Sequence, residues 1–371
     1  MSKRILVTGG AGFVGTHLVA HLVDRGDDVV VLDSLEPQVH LGHEPVFPDG
    51  VSFIHGDVGD PVAADRALEG VEAVVHLAAA VGVGQSMYEI ERYVHVNTLA
   101  TASFLERLVA LPQRPERLVV ASSMSIYGEG EYRCPEHGNV APGLRPEEQL
   151  LTRQWECACP ACGAELTPVP TRESKALIPT SVYAITKRDH EELCQVVGAA
   201  YGVPTVALRF FNIYGSGQAL SNPYTGVAAI FSSRLLNSHA PLVFEDGLQS
   251  RDFVHVSDIV RAIVLALESE DAVGHAVNVG TGRPVTVREV AELVAAGLDT
   301  DIAPEMPGTY RMGDIRHCFA DPTRAEELLG FRASVRLEDG MGELLDWVRT
   351  QTATDRVEEA AAELVARRLV R

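Results

Sequence analysis

Cysteine is scarce in this chain. There are six in 371 residues, too few for a disulfide scaffold at this length, and four of them fall between Cys134 and Cys162, a clustering that suggests metal binding before disulfides. Positive charge is short as well: 31 Lys and Arg against 51 Asp and Glu leave a formal net charge of −20. A field of that sign repels phosphate, so neither nucleic acid nor an anionic membrane is an expected partner, and an anionic substrate would need arginines placed locally. No apolar run approaches the roughly 18 to 20 residues that span a bilayer. The opening MSKRILVTGG enters a strand-like run without the apolar core and cleavage site of a secretory signal, and a cytoplasmic protein is expected. Internal repeats and low-complexity tracts are also lacking.

What is present is ordinary globular composition, 46% hydrophobic and 22% charged, in a length that suggests two or three packed units. Up to about residue 127, strand-like and helix-like segments alternate in the rhythm of an α/β, doubly wound parallel sheet. The strands read as continuous apolar runs: ILVTGG from Ile5, VVVLD from Val29, VSFIHGD from Val51, AVVHLAA from Ala73 and RLVVASS from Arg117. Helical spacing fills Thr16 to Arg25 and Ile90 to Leu111. Residues 129–174 break the pattern with a Pro-, Gly- and Cys-bearing stretch too long for a connection, hence an insertion. A helix from about Val182, a strand TVALRFFNIYG from Thr205 and a looser mixture to Val348 follow. The tail from Asp355 sets Val357, Ala361, Leu364 and Val365 on one helical face, a pattern expected to dock on the body.

Thr8-Gly9-Gly10-Ala11-Gly12-Phe13-Val14-Gly15 leaves the first strand and opens the first helix. Glycines there allow a tight turn and close approach to a pyrophosphate, while the helix start offers unpaired N–H donors and partial positive charge. Asp33 ends the second strand 18 residues past Gly15, near the offset expected of a ribose-binding carboxylate. Its charge would repel a 2′-phosphate, so NAD is expected over NADP. The bland alternative is a sheet turn that binds nothing.

Tyr183 and Lys187 lie four residues apart, on one helix face. An ammonium beside a phenol lowers the cost of the phenolate, so a group with a reference pKa of about 10 becomes a base near neutral pH. Alone the pair is equally consistent with a surface contact. Ser123 ends the strand RLVVASS, where side chains face the cofactor crevice, whereas Ser122 and Ser125 are expected to satisfy backbone groups. His255, inside an apolar run, is expected to pack.

In order, TGGAGFVG, GDV at Gly56, HLAA at His76, SSMSIYG at Ser122, YAITK at Tyr183, RFFNIYG at Arg209, RDFVHVSD at Arg251 and NVGTG at Asn278 resemble the extended short-chain dehydrogenase/reductases, in their nucleotide-sugar epimerase/dehydratase branch. The resemblance runs from about Arg4 to Val348, interrupted by the insertion. It implies a Rossmann-type NAD-binding domain over 1–190, a smaller α/β substrate-binding domain mainly over 191–348 and partly interleaved with the sheet, a C-terminal helix over 349–371, and a homodimer. It assigns Gly9, Gly12, Phe13, Val14, Gly15, Asp33, Asp57, Val58, Leu77, Ala78, Ala79, Asn97, Tyr183, Lys187 and Phe211 to the cofactor. Ser123, Tyr183 and Lys187 become the catalytic group. Asn212, Arg251 and Arg311, with Ser123, would hold a nucleotide-diphosphate sugar; a solvated loop arginine is the alternative for Arg311.

Dehydratases of that branch resemble one another in an Asp-Glu pair after the serine, and decarboxylases in a Glu. This chain has Met124 and Ser125, neither of which shuttles a proton at neutral pH. The implied reaction is 4-epimerisation, with dehydration or decarboxylation and a non-catalytic dinucleotide sensor left as alternatives.

Cys134-Pro-Glu-His137 and Cys159-Pro-Ala-Cys162 form two pairs with two residues between ligands. Together they make a Cys3His site of the structural zinc type in a ribbon-like insert with few large apolar residues to form its own core. Cys157 is the rival ligand, reduced cysteines on a loop the bland alternative, and Cys194 and Cys318 read as buried thiols. This insertion and ALSNPYTGVAAIF from Ala219 resemble a bacterial group, the dTDP-L-rhamnose 4-epimerases, in which His137 would be a cysteine.

Overall fold

The computed structural model describes residues 2–42 and 44–371. Seven strands form one sheet: β1 (Arg4–Thr8), β2 (Asp28–Asp33), β3 (Ser52–His55), β4 (Ala73–His76), β5 (Arg117–Ser123), β6 (Thr205–Phe210) and β7 (Ala276–Val279). Their order is β7-β6-β5-β4-β1-β2-β3 and every neighbouring pair is parallel. The chain reverses direction between β1 and β4, so a crevice opens at the carboxyl ends of those strands.

Alternate residues of the strands serve opposite faces. Ile5, Val7, Val29 and Val31 pack with Leu18 and Leu22 of α1 (Phe13–Asp24) and Ile259 of the helix Val256–Glu268. Leu6, Val30 and Val120 pack on the other face with Phe104, Leu108 and Cys194. Truncating a side chain as buried as Phe104 would cost about 3–5 kcal/mol. A third cluster, around Phe231, Val243, Val290 and Leu344, holds the later helices Val227–Leu236, Val287–Gly297 and Leu337–Val348.

Three sequence expectations change. The run VSFIHGD predicts a buried strand, yet β3 lies at the sheet edge and is largely exposed. TVALRFFNIYG predicts one strand, whereas the chain leaves the sheet at Phe211 and resumes as Asn212–Tyr214, paired with Phe253–His255. The break has a cause: the Phe211 N–H still bonds Val279 O, while that of Asn212 turns to Asp252 O. In the C-terminal helix Val357–Ala366, Ala360 and Leu364 are the buried positions, while Val365 faces solvent at 56% exposure.

Residues 129–174 contain a three-stranded antiparallel sheet, Gly138–Val140, Glu131–Cys134 and Thr167–Val169. The expectation that this segment buries no core is corrected. Tyr132 and Leu166 pack with Cys134, Cys157 and Cys159, and Leu150 and Trp155 pack against Tyr310.

Candidate active site and metal cluster

The glycine loop is packed as closely as its composition suggests. Gly9 has φ +69°, and a Cβ there would lie 2.8 Å from the Ala78 nitrogen; one on Gly15 would lie 2.4 Å from Gly9 O. Helix α1 starts at Gly12 with no side chain capping it, so the N–H groups around Phe13 and Val14 keep their capacity for an anion. Asp33 is 9% exposed and accepts from the N–H groups of Ala11 (3.0 Å) and Leu35 (2.9 Å), which holds its carboxylate against the loop. Asp57 accepts from the Gly59 N–H at 2.7 Å, and Val58 beside it is buried.

Leu77, Ala78 and Ala79 continue from β4, with the Leu77 N–H on Thr8 O and that of Ala78 on Thr8 Oγ1. Asn97, fully buried in a π-helical stretch, Val94–Leu99, bonds both the N–H and the C=O of Ala80 (2.7 and 3.0 Å) and donates to Thr186 Oγ1 (3.0 Å). It thereby ties the loop after β4 to α2 (Val182–Tyr201). A glycine cradle that any Cβ would fill, an uncapped helix start and a facing carboxylate fit a dinucleotide.

Helix α2 starts at Ser181, whose hydroxyl accepts from the Ala184 N–H at 3.1 Å, and ends at left-handed Gly202. Its first turn lies against the mouth of the crevice, where the Tyr183 N–H bonds Ser86 Oγ at 3.0 Å. Burial pushes the Tyr183 phenol above its ordinary pKa, opposed by a hydrogen bond from Ser123. Ser123 ends β5, and its oxygen accepts from both the N–H (3.2 Å) and the hydroxyl (2.9 Å) of Ser125. Its own proton is therefore left for Tyr183 or a substrate oxygen. The expected roles of the neighbouring serines are corrected: Ser125 serves Ser123 rather than the backbone, and the Ser122 hydroxyl has no partner among the described residues.

Lys187 is buried as well. Burial lowers it to about 8, against the opposing pull of Cys194 and Glu191, and its Nζ donates to Nδ1 of His190 at 3.1 Å. His190 is itself driven well below 6.5 by burial and by Lys187, so it is a neutral acceptor. Behind it stands His76, held to about 3 by burial and then by Lys187, and bonded to Thr8 and Thr101. Sequence reasoning missed His190. The only signal is its position three residues after Lys187.

Beneath α2, Glu191 takes a fork of bonds from Arg209, which also donates to the Tyr127 hydroxyl. The motifs SSMSIYG and RFFNIYG thus meet, through Tyr127 and Arg209, at Glu191, one turn beyond YAITK, in a buried ion pair that seats the helix. RDFVHVSD and NVGTG meet likewise, at Asp252, which accepts from the N–H groups of Thr281, Gly282 and Ala320. His255 packs as expected and caps the helix that follows.

Phe211 is buried next to Asn212, whose Oδ1 lacks a partner among the described residues. Arg251 donates to the carbonyls of Ser250, Arg316 and Ile315 (2.8, 2.9 and 2.7 Å). Arg311 lies over the Phe244 ring at 4.9 Å, bonds Asp314 at 2.8 Å and comes within 3.9 Å of where a Cβ on Gly84 would lie. Two guanidinium groups thus flank residues 314–316 of the segment that faces the loop after β4, and such forks suit phosphate oxygens.

In the insertion, the ligand atoms of Cys134, His137, Cys159 and Cys162 all lie within 4.8 Å of one another. Cys134 Sγ is 3.6 Å from Cys162 Sγ and 3.5 Å from His137 Nδ1. A tetrahedron with Zn–S bonds of about 2.3 Å has edges of about 3.8 Å, so the four fit such an ion. Cys157 points away, to the Tyr132 hydroxyl at 3.5 Å, which removes it as the rival ligand. Cys194 and Cys318 are buried, as expected.

Parallel sheet and glycine loop define a dinucleotide-dependent enzyme. The model of the NAD dependent epimerase/dehydratase family matches residues 5–148 and 158–280, and the chain belongs to that family. The stretch left unmatched between these two ranges lies inside the insertion. Over 351 residues the chain is 34% identical to a dTDP-L-rhamnose 4-epimerase of Burkholderia thailandensis, with 93% of this chain and 95% of that protein aligned. A UDP-N-acetyl-alpha-D-glucosaminuronate decarboxylase of Bacillus cytotoxicus is 28% identical, covering 94% and 98% of the two. The UDP-glucose 4-epimerase of Thermus thermophilus, solved as a complex with NAD, superposes with a TM-score of 0.73 at 31% identity, covering 94% and 100%. No helix among the described residues is long and apolar enough to cross a membrane.

Proposed function

We propose that the chain is an NAD-dependent nucleotide-sugar 4-epimerase acting on dTDP-L-rhamnose or a related nucleotide-linked hexose. The observation that carries the reaction is that Ser123, whose hydrogen bond draws the Tyr183 phenol down, is followed by Met124 and Ser125 rather than by an acid. Dehydration or decarboxylation needs a further proton shuttle there, so the decarboxylase relative does not set the reading. The likeness to the Burkholderia protein, which shares 34% of the aligned residues, supports the sugar.

Tyr183 takes the proton from the sugar O4 as C4 is oxidised, and Ser123 donates a hydrogen bond to the same oxygen. Bound NAD supplies the hydride acceptor, and later donor, together with a positive charge that favours the phenolate. Lys187 would hold the cofactor's ribose with its buried ammonium and would add a second positive charge on the Tyr183 side of the site. Asn212, Arg251 and Arg311 keep the diphosphate anchored while the 4-keto sugar turns over, so that reduction occurs on its other face and Tyr183 returns the proton. Gly9, Gly12, Phe13, Val14 and Gly15 serve the pyrophosphate, Asp33 the adenosine ribose, and Asp57, Val58, Leu77, Ala78, Ala79, Asn97 and Phe211 line the cofactor.

Cys134, His137, Cys159 and Cys162 would hold one structural zinc. Four protein ligands leave no open position for water, so its role is to shape the insertion. Exposed Val94 and Leu99 beside exposed Ile185 and Val196 of α2 offer an apolar helical face suited to a homodimer. Incubating the NAD-loaded protein with dTDP-, UDP-, GDP- and CDP-sugars and following products by NMR tests the reading. A C4 epimer from at least one sugar is expected. A lasting 4-keto-6-deoxy or shortened sugar would contradict it, and so would binding without turnover.

A further inference from the structure

The insertion reaches further into the enzyme than a surface appendage would. Its residue Glu156 lies one position before Cys157, and its carboxylate takes two bonds from Arg316, through Nε at 2.9 Å and Nη2 at 2.6 Å, and a third from His317 Nε2 at 3.0 Å. Arg145, also of the insertion, forks onto Glu245 at 2.8 and 3.0 Å and donates to Asp314 O at 3.1 Å. Glu129 accepts the backbone N–H of Arg316 at 2.8 Å. The Arg145–Glu245 pair is buried on both sides, whereas in the Arg316–Glu156 pair the guanidinium is buried and the carboxylate is 40% exposed, so the arginine ends of both contacts are desolvated and fixed.

The segment so gripped, 314–316, is the one that orients both arginines of the substrate site. Arg251 is aimed by bonds to the carbonyls of Ile315 and Arg316, and Arg311 by the Asp314 carboxylate. A guanidinium fork binds a diphosphate in paired bonds only when its plane is set beforehand. A backbone free to shift by a fraction of an ångström would loosen both forks together.

We propose that Glu156 and Arg145 are positioning residues for the diphosphate of the substrate, acting through Arg316 and Asp314 on Arg251 and Arg311. This rests on the reading, given above, that those two arginines bind that diphosphate. The insertion is then a strut for the anion site. It contributes to substrate affinity and leaves the hydride chemistry alone.

Calorimetric titration of the NAD-loaded protein with dTDP and with UDP tests this, alongside steady-state kinetics on whichever nucleotide sugar turns over. Glu156→Gln should weaken the tighter-binding diphosphate by about tenfold, the loss of roughly one charge-assisted bond's net contribution. KM should rise in step, with kcat and NAD affinity unchanged. A merely structural role would lower kcat and NAD affinity along with the rise in KM, and that result would overturn the proposal. Glu156→Asp, which keeps the charge and shortens the reach, reads the same effect in smaller measure should Glu156→Gln fail to fold. Arg251→Ala separates the two layers. If it leaves dTDP and UDP binding intact, the diphosphate reading fails and takes the proposal with it. If it weakens binding while Glu156→Gln and Glu156→Asp do not, the proposal alone fails.

Discussion

Lys187 Nζ lies 3.1 Å from Nδ1 of His190, and both side chains are buried. The imidazole, driven well below its ordinary pKa, accepts from Lys187 and so stabilises the ammonium. Burial has already brought Lys187 down to about 8. The role proposed for Lys187 requires its protonated form, so activity should be full below that value and fall as pH rises through it. In His190→Leu the acceptor is gone and the neutral amine is favoured further. A net hydrogen bond to a charged group is worth ~1.5 kcal/mol, about one pH unit. The alkaline limb of kcat/KM should therefore begin about one unit lower in the variant. An unchanged limb would show that His190 does not act on Lys187.

The Ser125 hydroxyl, 2.9 Å from that of Ser123, leaves Ser123 one free direction in which to donate. In Ser125→Ala the Ser123 proton gains alternatives. The expected loss is about fivefold in kcat, some ~1 kcal/mol, with NAD affinity unchanged. Single-turnover experiments would assign the loss to the chemical step.

The metal prediction concerns the insertion alone. Elemental analysis of protein purified without chelator should find about one zinc per chain, lost in Cys159→Ser and in Cys162→Ser, since a tetrahedral structural site needs all four ligands. Cys157→Ser should keep its zinc, because that thiol faces Tyr132. A metal-free, folded wild type would end this reading.

Asp33 bears on cofactor choice. A carboxylate held beside the glycine loop by two N–H groups repels a 2′-phosphate, so the wild type should bind NAD in clear preference to NADP. Asp33→Ala should narrow that preference by about tenfold or more, on the scale of one charge-assisted bond. Equal wild-type affinity for the two would remove the role assigned to Asp33.

The parts of this molecule that were legible in the sequence are those where one local pattern serves one need. The middles of β1, β2, β4 and β5 are apolar because both faces are covered, and the loop is spelled by Gly9, Gly10 and Gly15, where a Cβ would clash. Edge strand β3 misled because its composition resembles that of its buried neighbours. Local contacts were only faintly legible: the three-residue spacing puts His190 on the face of Lys187 without saying that the two bond, and nothing marks Ser125 for Ser123 rather than for the backbone. The Arg316 network joins residues more than 150 positions apart, and no spacing rule spans that distance. The cysteine pairs were legible as a cluster, while the small core around Tyr132 depended on docking that composition does not record.

The central claim is oxidation and re-reduction at one carbon, and isotopic labelling of that carbon tests it most directly. A nucleotide sugar that turns over, carrying deuterium at C4, should give its C4 epimer with the deuterium retained at C4 and no net accumulation of NADH. Tyr183→Phe should lower that rate by about 10²–10⁴-fold, the range expected of a lost general acid–base group. Washout of the C4 label to solvent, or a product that ends as a 4-keto-6-deoxy or decarboxylated sugar, would contradict the account.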